Sequence, residues 1–214
     1  MPSGAAAGSG HAAPGGVPGP GAGATGVPGR GVCLFDTPVG RCALAWTERG
    51  IAALQLPERD DATTLRRAAR RAPGAAPCEP PPAMAAAIAR VQRLLRGARD
   101  DDLSDLPLDT DGIPEFHRRA QAAARRIPPG RTITYGELAK ALGEPGAARA
   151  VGQAMGANPY PVIVPCHRVL AAGDAEGGFS AFGGVVTKRR LLEIEGALAP
   201  ESLPLFGGGG ASRD

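Results

Sequence analysis

A thiol and an imidazole stand side by side in the stretch VIVPCHRVL at residues 162–170, as Cys166 and His167. The thiolate is the reactive form of cysteine, and a neighbouring imidazole can lower a thiol pKa enough to populate it near neutral pH. Cys166 is therefore a candidate nucleophile. A free cysteine is more often a small buried hydrophobe, and one Cys beside one His does not define a site. The surrounding sequence must decide between these two interpretations.

The apolar residues before the thiol indicate how it is positioned. Residues 162–164 are β-branched and predict a short buried strand that ends at Pro165. Adjacent side chains on an extended strand point to opposite faces. Cys166 and His167 can therefore cooperate only if the chain turns directly after Pro165.

Composition narrows the class of protein. A chain of 214 residues holds one ordinary domain or two small ones. The four cysteines are unevenly spaced, and the N-terminus lacks the basic and apolar regions of a signal peptide, so we expect a reduced, cytoplasmic protein. No stretch approaches the roughly 18 apolar residues that span a bilayer, so we expect no membrane partner. A net charge of +3 permits a nucleic-acid partner without demonstrating one.

A structural metal is disfavoured by spacing. Cys33, Cys42, His11 and His117 are among the side chains outside the Cys-His pair that could bind a metal. They form no Cys-x-x-Cys or His-x-x-x-His pair of the kind that holds zinc. We therefore expect no metal.

Shifts in composition divide the chain into four segments. Residues 1–30 are almost entirely Gly, Ala, Pro, Ser and Val, which predicts a disordered tail. Residues 31–111 and 112–200 are predicted to form two folded units, and 201–214 a flexible tail. The predicted elements are strands at 32–35, 41–46 and 51–56, helices at 61–72, 84–95 and 113–126, and a strand with a connector at 103–111.

Two short helices are predicted in the second unit. Thr134 and Glu137 fit a capping box that opens a helix through Leu142. A turn containing Gly and Pro follows, and then a second helix at 147–155 whose side chains are unusually small. Two short helices across such a turn match a helix-turn-helix. Many helical hairpins bind nothing, so DNA binding and close internal packing both stay open for this pair.

The order of the motifs resembles one known family. The motifs are the helix pair, Asn158-Pro159, PCHRV at 165–169, Gly183-Gly184 with Lys188, and LLEIE at 191–195. This order closely resembles the O6-alkylguanine-DNA alkyltransferases, also called methylated-DNA–protein-cysteine methyltransferases. The likeness is strong over 113–196 and loose over 32–109.

The resemblance implies an α/β (α+β) fold, with a small N-terminal ribonuclease-H-like antiparallel sheet and helices. A mostly helical C-terminal domain with a helix-turn-helix then binds DNA and accepts the methyl group. It implies DNA repair by direct reversal, in which an alkyl group moves from O6 of guanine, and more weakly from O4 of thymine, to the protein's own cysteine. No cofactor is expected, because the lesion carries the alkyl group. The expected partner is double-stranded DNA containing O6-alkylguanine, bound through its minor groove by a monomer.

The resemblance also implies catalytic roles. Cys166 is the acceptor, and His167 draws the thiol proton through a water. Glu195 orients and charges this imidazole, which follows the general logic of nucleophile, base and orienting group. Tyr135 donates to guanine as O6 leaves, and a donor there lowers the barrier because guanine otherwise departs as an anion. Asn158 ties the preceding turn to the active-site segment. A thioether is a poor leaving group, so we expect a single turnover.

Further positions are implied for DNA and for the base. Arg149 matches the arginine finger that replaces an extruded nucleotide. The other implied DNA-binding residues are Ala148, Ala150, Gly152 and Thr134. The implied wall of the guanine pocket contains Pro165, Val169, Ser180 and Phe182. The loop from Cys166 to Gly183 is longer than in the familiar form of the family, so the size of the alkyl pocket is left open.

Other readings compete with repair. A lesion sensor of the alkyltransferase-like type would bind damage without transferring anything, but such proteins lack the acceptor that Cys166 provides. An adaptive-response regulator carries an additional metal-bound methyl-accepting domain, for which residues 1–30 are too short and too plain. A papain-like Cys-His hydrolase normally has its His far from its Cys in sequence.

Overall fold

Short apolar runs, Gly-containing turns and amphipathic stretches form the elements of the chain. The structure is a computed structural model that describes residues 29–172 and 181–198. The strands are β1 (Gly31–Thr37), β2 (Gly40–Thr47), β3 (Gly50–Gln55), β4 (Ala76–Pro77), β5 (Ile133–Thr134) and β6 (Val169–Leu170). The helices are α1 (Asp61–Ala69), α2 (Pro82–Leu95), α3 (Glu115–Ala124), α4 (Tyr135–Ala141), α5 (Ala148–Gly156) and α6 (Val185–Ile194), with a 3-10 helix at Cys166–Arg168.

Several predicted segments fall outside these ranges. The tail at 201–214 and the tail at 1–30, apart from its last two residues, lie outside the described residues, as does Ser180. Within the described ranges, no helix is both long and apolar enough to cross a membrane.

The first three strands form the predicted antiparallel meander. β1 pairs with β2 and β2 with β3, and the tight turns between them place Gly40 and Gly50 at positive φ, which glycine adopts without strain. The complete sheet has the order β3-β2-β1-β4. β4 pairs with β1 in parallel and was not predicted, because two residues that include a proline carry no strand pattern. The described fold is thus mixed α/β with a mainly antiparallel sheet.

The two faces of this sheet are covered differently. Alternate side chains of a strand point to opposite faces. On one face, small residues such as Ala43, Ala45 and Ala53 pack under α1. On the other face, Leu44 and Trp46 belong to a larger hydrophobic cluster that continues into the helical half of the chain. That cluster also contains Leu138, Val151, Cys166 and Leu191, so the sheet and Cys166 share one core.

The two short helices of the second half occur where they were predicted. The Thr134–Glu137 capping box opens α4, with the Glu137 amide donating to Thr134 Oγ1 at 3.1 Å and the Thr134 amide donating to Glu137 Oε2 at 2.6 Å. α3, α4 and α5 pack against one another. α3 begins at Glu115, two residues after the predicted start of this helix, and Pro114 takes its N-cap position.

The predicted strand at 162–164 is wrong. Residues 161–164 form a turn with a single bridge between Pro161 and Val164, and Val162 adopts a positive φ of 76°. The backbone is satisfied locally: the Val164 amide donates to the Tyr160 carbonyl at 2.8 Å, and the Asn158 side chain donates to the Val164 carbonyl at 2.9 Å. An asparagine side chain that bonds nearby backbone groups removes the need for a neighbouring strand.

The predicted strand at 103–111 is also wrong. One bridge, between Leu108 and Ile51, is present, and the rest of the segment is turns and loop. Asp101 and Asp102 accept hydrogen bonds from backbone amides two residues ahead, which favours turns over a ladder. The segment instead joins the two halves of the chain, because the Tyr160 hydroxyl donates to the Asp109 carbonyl.

Candidate active site

Cys166 begins the 3-10 helix at Cys166–Arg168, so the chain turns directly after Pro165, as cooperation with His167 requires. The Cys166 amide donates to the Val164 carbonyl at 2.8 Å. Cys166 is 7% exposed and lines a cleft of about 100 Å³. Its wall includes Asn158, Pro159, Pro161 and Ala181. The thiol is therefore buried within the core cluster and still borders an open space.

Burial sets the protonation of the thiol. Burial raises the pKa of Cys166 above its ordinary value, and this effect outweighs a hydrogen bond with the Asn158 side chain and the positive charge of Lys188, which both lower it. Lys188 is itself fully buried and donates to the Val169 carbonyl at 2.9 Å. The resting group is therefore the thiol, and its use as a nucleophile requires a base.

A buried imidazole and carboxylate stand next to this thiol. His167 Nε2 and Glu195 Oε1 are 2.9 Å apart. Burial lowers the pKa of His167 despite the opposing effect of Glu195, so the imidazole is neutral at pH 7. Burial alone would raise the pKa of Glu195, but its hydrogen bonds and attractions to His167 and Arg168 lower it to about 2. Glu195 is therefore a carboxylate.

These charge states assign the tautomer of the imidazole. A carboxylate only accepts hydrogen bonds, so His167 Nε2 carries the proton and Nδ1 is left as an acceptor. Nδ1 is buried and has no hydrogen-bond partner among the described residues. The ring therefore presents an unused basic nitrogen, which is what a general base requires.

Arg168 completes the network and was not singled out from the sequence. Its Nε donates to Glu195 Oε2 at 2.8 Å, and its Nη2 donates to Glu195 Oε1 at 2.7 Å. Its Nη1 donates to the Ile127 carbonyl at 2.5 Å. The side chain is fully buried. An available signal was the presence of an arginine inside an apolar run, since a buried arginine needs a carboxylate partner.

Asn158 and Tyr135 both lie near Cys166. Asn158 Oδ1 accepts from the Tyr160 amide at 2.9 Å, so this side chain joins both ends of the turn and also contacts the thiol. Tyr135 is partly buried, and burial together with the Cys166 charge raises its pKa. The β5–β6 pair aligns Ile133 with Val169 and so places α4 beside the acceptor segment. This two-residue pairing was not predicted.

The expected pocket residues separate in the structure. Pro165 and Val169 are buried and lie next to Cys166 in the chain or one 3-10 turn after it. Phe182 is 56% exposed and lines a different cleft, next to α1, whereas its neighbour Ala181 lines the Cys166 cleft. The structure therefore does not bring Phe182 to the thiol.

The residues expected to bind DNA lie on or beside α5, apart from Thr134. Arg149 is exposed, and Ala148, Ala150 and Gly152 are partly exposed. A Cβ atom added to Gly152 would meet nothing within 4 Å. The Thr134 hydroxyl is engaged in the capping box, donating to Glu137 Oε2 at 2.8 Å. Among the described residues, no group of three His, Cys, Asp or Glu side chains could hold a metal ion.

Comparison with known proteins identifies the family. Residues 115–197 match the family described as 6-O-methylguanine DNA methyltransferase, DNA binding domain. The chain is 43% identical to the methylated-DNA–protein-cysteine methyltransferase of Mycolicibacterium paratuberculosis over 128 residues, which cover 60% of this chain and 74% of that protein. It is 49% identical to the same-named Mycobacterium bovis protein over 102 residues, which cover 48% of this chain and 60% of that relative.

A solved structure extends the likeness to the N-terminal half. The crystal structure of Mycobacterium tuberculosis OGT in complex with DNA matches with a TM-score of 0.63 and 35% identity, covering 79% of this chain and 95% of that one. That coverage exceeds the helical half and includes much of the sheet. The chain belongs to the methylated-DNA–protein-cysteine methyltransferase family.

Proposed function

We propose that this protein repairs alkylated DNA by moving the alkyl group from O6 of guanine, and more weakly from O4 of thymine, to Cys166. One observation carries the proposal: a neutral His167, held by the ionised Glu195, lies directly after a cysteine that borders a cleft. The family membership and the DNA in the crystal structure of the Mycobacterium tuberculosis relative support the same conclusion.

The reaction is a single displacement. His167 Nδ1, acting through a water, takes the proton of the thiol. The Cys166 thiolate then attacks the alkyl carbon, so that an S–C bond forms while the C–O6 bond breaks and its electron pair leaves on guanine. The Tyr135 hydroxyl donates to the departing base, and its raised pKa keeps it protonated for this task.

The product is a thioether on the protein. A thioether is a poor leaving group, and Cys33 and Cys42 are unsuited to receive the group onward, since burial raises the pKa of each to about 11. Thiolate, not thiol, is the nucleophile. We therefore infer that each molecule reacts once and is consumed.

Access to a base inside a duplex requires extrusion of the nucleotide, which costs a few kcal/mol. In this proposal α4 and α5 form a helix-turn-helix, and a monomer places α5 in the minor groove. Arg149 then fills the space of the extruded base, and the small side chains at Ala148, Ala150 and Gly152 allow close approach. The minor groove displays little sequence information, which suits a repair protein. The N-terminal sheet, at 31–111, would be a ribonuclease-H-like unit beside the acceptor unit at 112–200.

The test is transfer from a duplex that contains one O6-methylguanine. Equimolar incubation should add one methyl to the peptide that contains Cys166 and none to peptides with Cys33, Cys42 or Cys78, as measured by peptide mass. Cys166→Ser should gain no methyl and still bind the duplex. Repaired guanine in large molar excess over protein would contradict the single turnover. Binding without any methyl transfer would instead indicate a lesion sensor.

A further inference from the structure

The N-terminal half contributes polar side chains to the cleft beside Cys166. Gln55, at the end of β3, and Arg67, on α1, line this cleft together with the acceptor. Tyr135, which the proposed function places at the guanine, and Val169, which the family resemblance places in the wall of the guanine pocket, do not line it. The cleft therefore adjoins the sulfur without including either of these two residues, so it is a space into which a substituent on the transferred carbon can project.

A buried carboxylate holds both polar side chains in place. Glu58 Oε1 accepts from Gln55 Nε2 at 3.0 Å and from Arg67 Nη1 at 2.6 Å. The Glu58 side chain is 4% exposed, whereas that of Arg67 is 45% exposed. A guanidinium has five N–H donors in a rigid fork, so binding to Glu58 occupies only part of it. Arg67 is thus fixed in orientation and keeps donors for a second acceptor.

The surroundings of Arg67 are positively charged. Arg67 also lines an adjoining cleft of about 370 Å³, with Arg59, Arg66 and Arg70. Glu58 is the one acidic side chain among the residues that line this second cleft within the described ranges. A cleft lined by one sign of charge raises the local potential for the opposite sign. The combined surface therefore favours an anionic group next to the acceptor sulfur.

We propose that Arg67 and Gln55 make this protein selective for O6-alkyl groups that end in a carboxylate, with carboxymethyl as the simplest case. The inference rests on the proposed function and specifies its substrate. The volume of about 100 Å³ admits a substituent of a few heavy atoms. The thiolate attacks the methylene carbon, the S–C bond forms as the C–O6 bond breaks, and the electron pair leaves with guanine. The carboxylate is unchanged and binds Arg67, and the product is S-carboxymethyl-Cys166.

The experiment compares transfer rates from matched duplexes. Each duplex carries O6-methylguanine, O6-carboxymethylguanine or the size-matched neutral O6-carbamoylmethylguanine, and the rate of Cys166 modification is followed by intact mass. Arg67→Met should lower the carboxymethyl rate relative to the methyl rate by about tenfold, the scale of one charge-assisted hydrogen bond. The carbamoylmethyl-to-methyl ratio should change much less, because the amide carries no charge.

Two further variants control for the general electrostatic effect of a nearby positive charge and for changes in stability. Arg66→Met, one residue away on α1, removes an equal charge that lines the adjoining cleft but not the Cys166 cleft, and it should lower the carboxymethyl-to-methyl ratio much less than Arg67→Met does. Arg67→Lys keeps the cation that pairs with Glu58 but loses the fork, and it should give an intermediate ratio. Melting temperatures of all variants would show whether the unpaired Glu58 disturbs folding.

The outcomes separate this inference from the proposed function. Equal slowing of the three substrates by Arg67→Met would assign Arg67 to DNA phosphates or to stability and overturn the inference. Equal effects of Arg66→Met and Arg67→Met on the carboxymethyl-to-methyl ratio would contradict a direct contact between Arg67 and the carboxylate of the substrate. Methyl transfer with no change in any ratio would refute the selectivity alone, whereas absence of methyl transfer by the unmodified protein would refute the proposed function.

Discussion

The buried network of His167, Arg168 and Glu195 and the outer face of α5 differ in their exposure to solvent. His167 and Arg168 are fully buried, whereas Arg149 is exposed and the space next to Gly152 is open. In the buried network, each charge depends on its neighbours for its stability, so one substitution disturbs ionisation, folding and chemistry together. On the exposed face, a substitution changes what can approach the protein and leaves the interior intact. The two regions should therefore respond differently to mutation.

The largest effect is expected in the buried network. Arg168→Met should lower the free energy of unfolding by about 3–5 kcal/mol, because it leaves the buried Glu195 without its bidentate partner. Chemical denaturation measures this change. Arg190→Met is the matched control, since Arg190 is an exposed arginine paired with Glu193 at 3.7 Å, and its loss should cost less than about 1 kcal/mol. Similar losses in the free energy of unfolding for both variants would contradict the expectation that burial makes the Arg168–Glu195 pair more important for stability than an exposed pair.

A smaller and separable effect is expected at Arg149. Arg149→Ala should slow repair of duplex DNA by on the order of tenfold, because extrusion of the nucleotide costs a few kcal/mol and the side chain is proposed to fill the vacated stack. Attack on the free base O6-methylguanine should change little, and so should the free energy of unfolding. Single-turnover rates on the two substrates provide the comparison. Equal slowing of both would remove the finger role.

The smallest effect is expected at Gly152 and has opposite signs for stability and binding. Gly152→Ala should raise the free energy of unfolding by about 0.5–1 kcal/mol, because alanine is the better helix former and its methyl group meets nothing. The same methyl should weaken duplex binding if DNA approaches α5 closely. Denaturation and binding titrations measure the two quantities. Gly156→Ala, at the end of α5 and equally open, is the control; unchanged affinity at Gly152 would argue against close approach.

The parts of the site that follow from local sequence could be predicted. The capping box at Thr134 and Glu137 and the amphipathic helices depend on neighbours within a few residues. The turn after Pro165 followed from the sequence only as a condition for Cys166 and His167 to cooperate. The Arg168–Glu195 pair depends on α6 returning to the acceptor segment from 27 residues away, and no local pattern specifies that return. The wrong strand at 162–164 has a similar cause, since apolar residues can be buried equally well by a turn that Asn158 closes.

The N-terminal contribution to the cleft could not be predicted either. Gln55 and Arg67 carry no motif, and their place beside Cys166 follows from the packing of the sheet against the acceptor segment. A loop residue such as Phe182 resembled a pocket residue by its position in sequence, yet its side chain lies next to α1 instead. Local patterns identified the reactive group, and tertiary packing determined the groups around it.

The sheet and the Cys166 segment share one core, and this has a consequence for the preorganisation of the site. The Leu54 amide donates to the Pro159 carbonyl at 2.9 Å, which joins β3 to the turn that precedes the thiol. If the proposed function holds, the entropy of arranging these groups is lost once, when the chain folds, rather than at every encounter with damaged DNA. Preorganisation of this kind leaves more of the interaction energy for turning a nucleotide out of its helix.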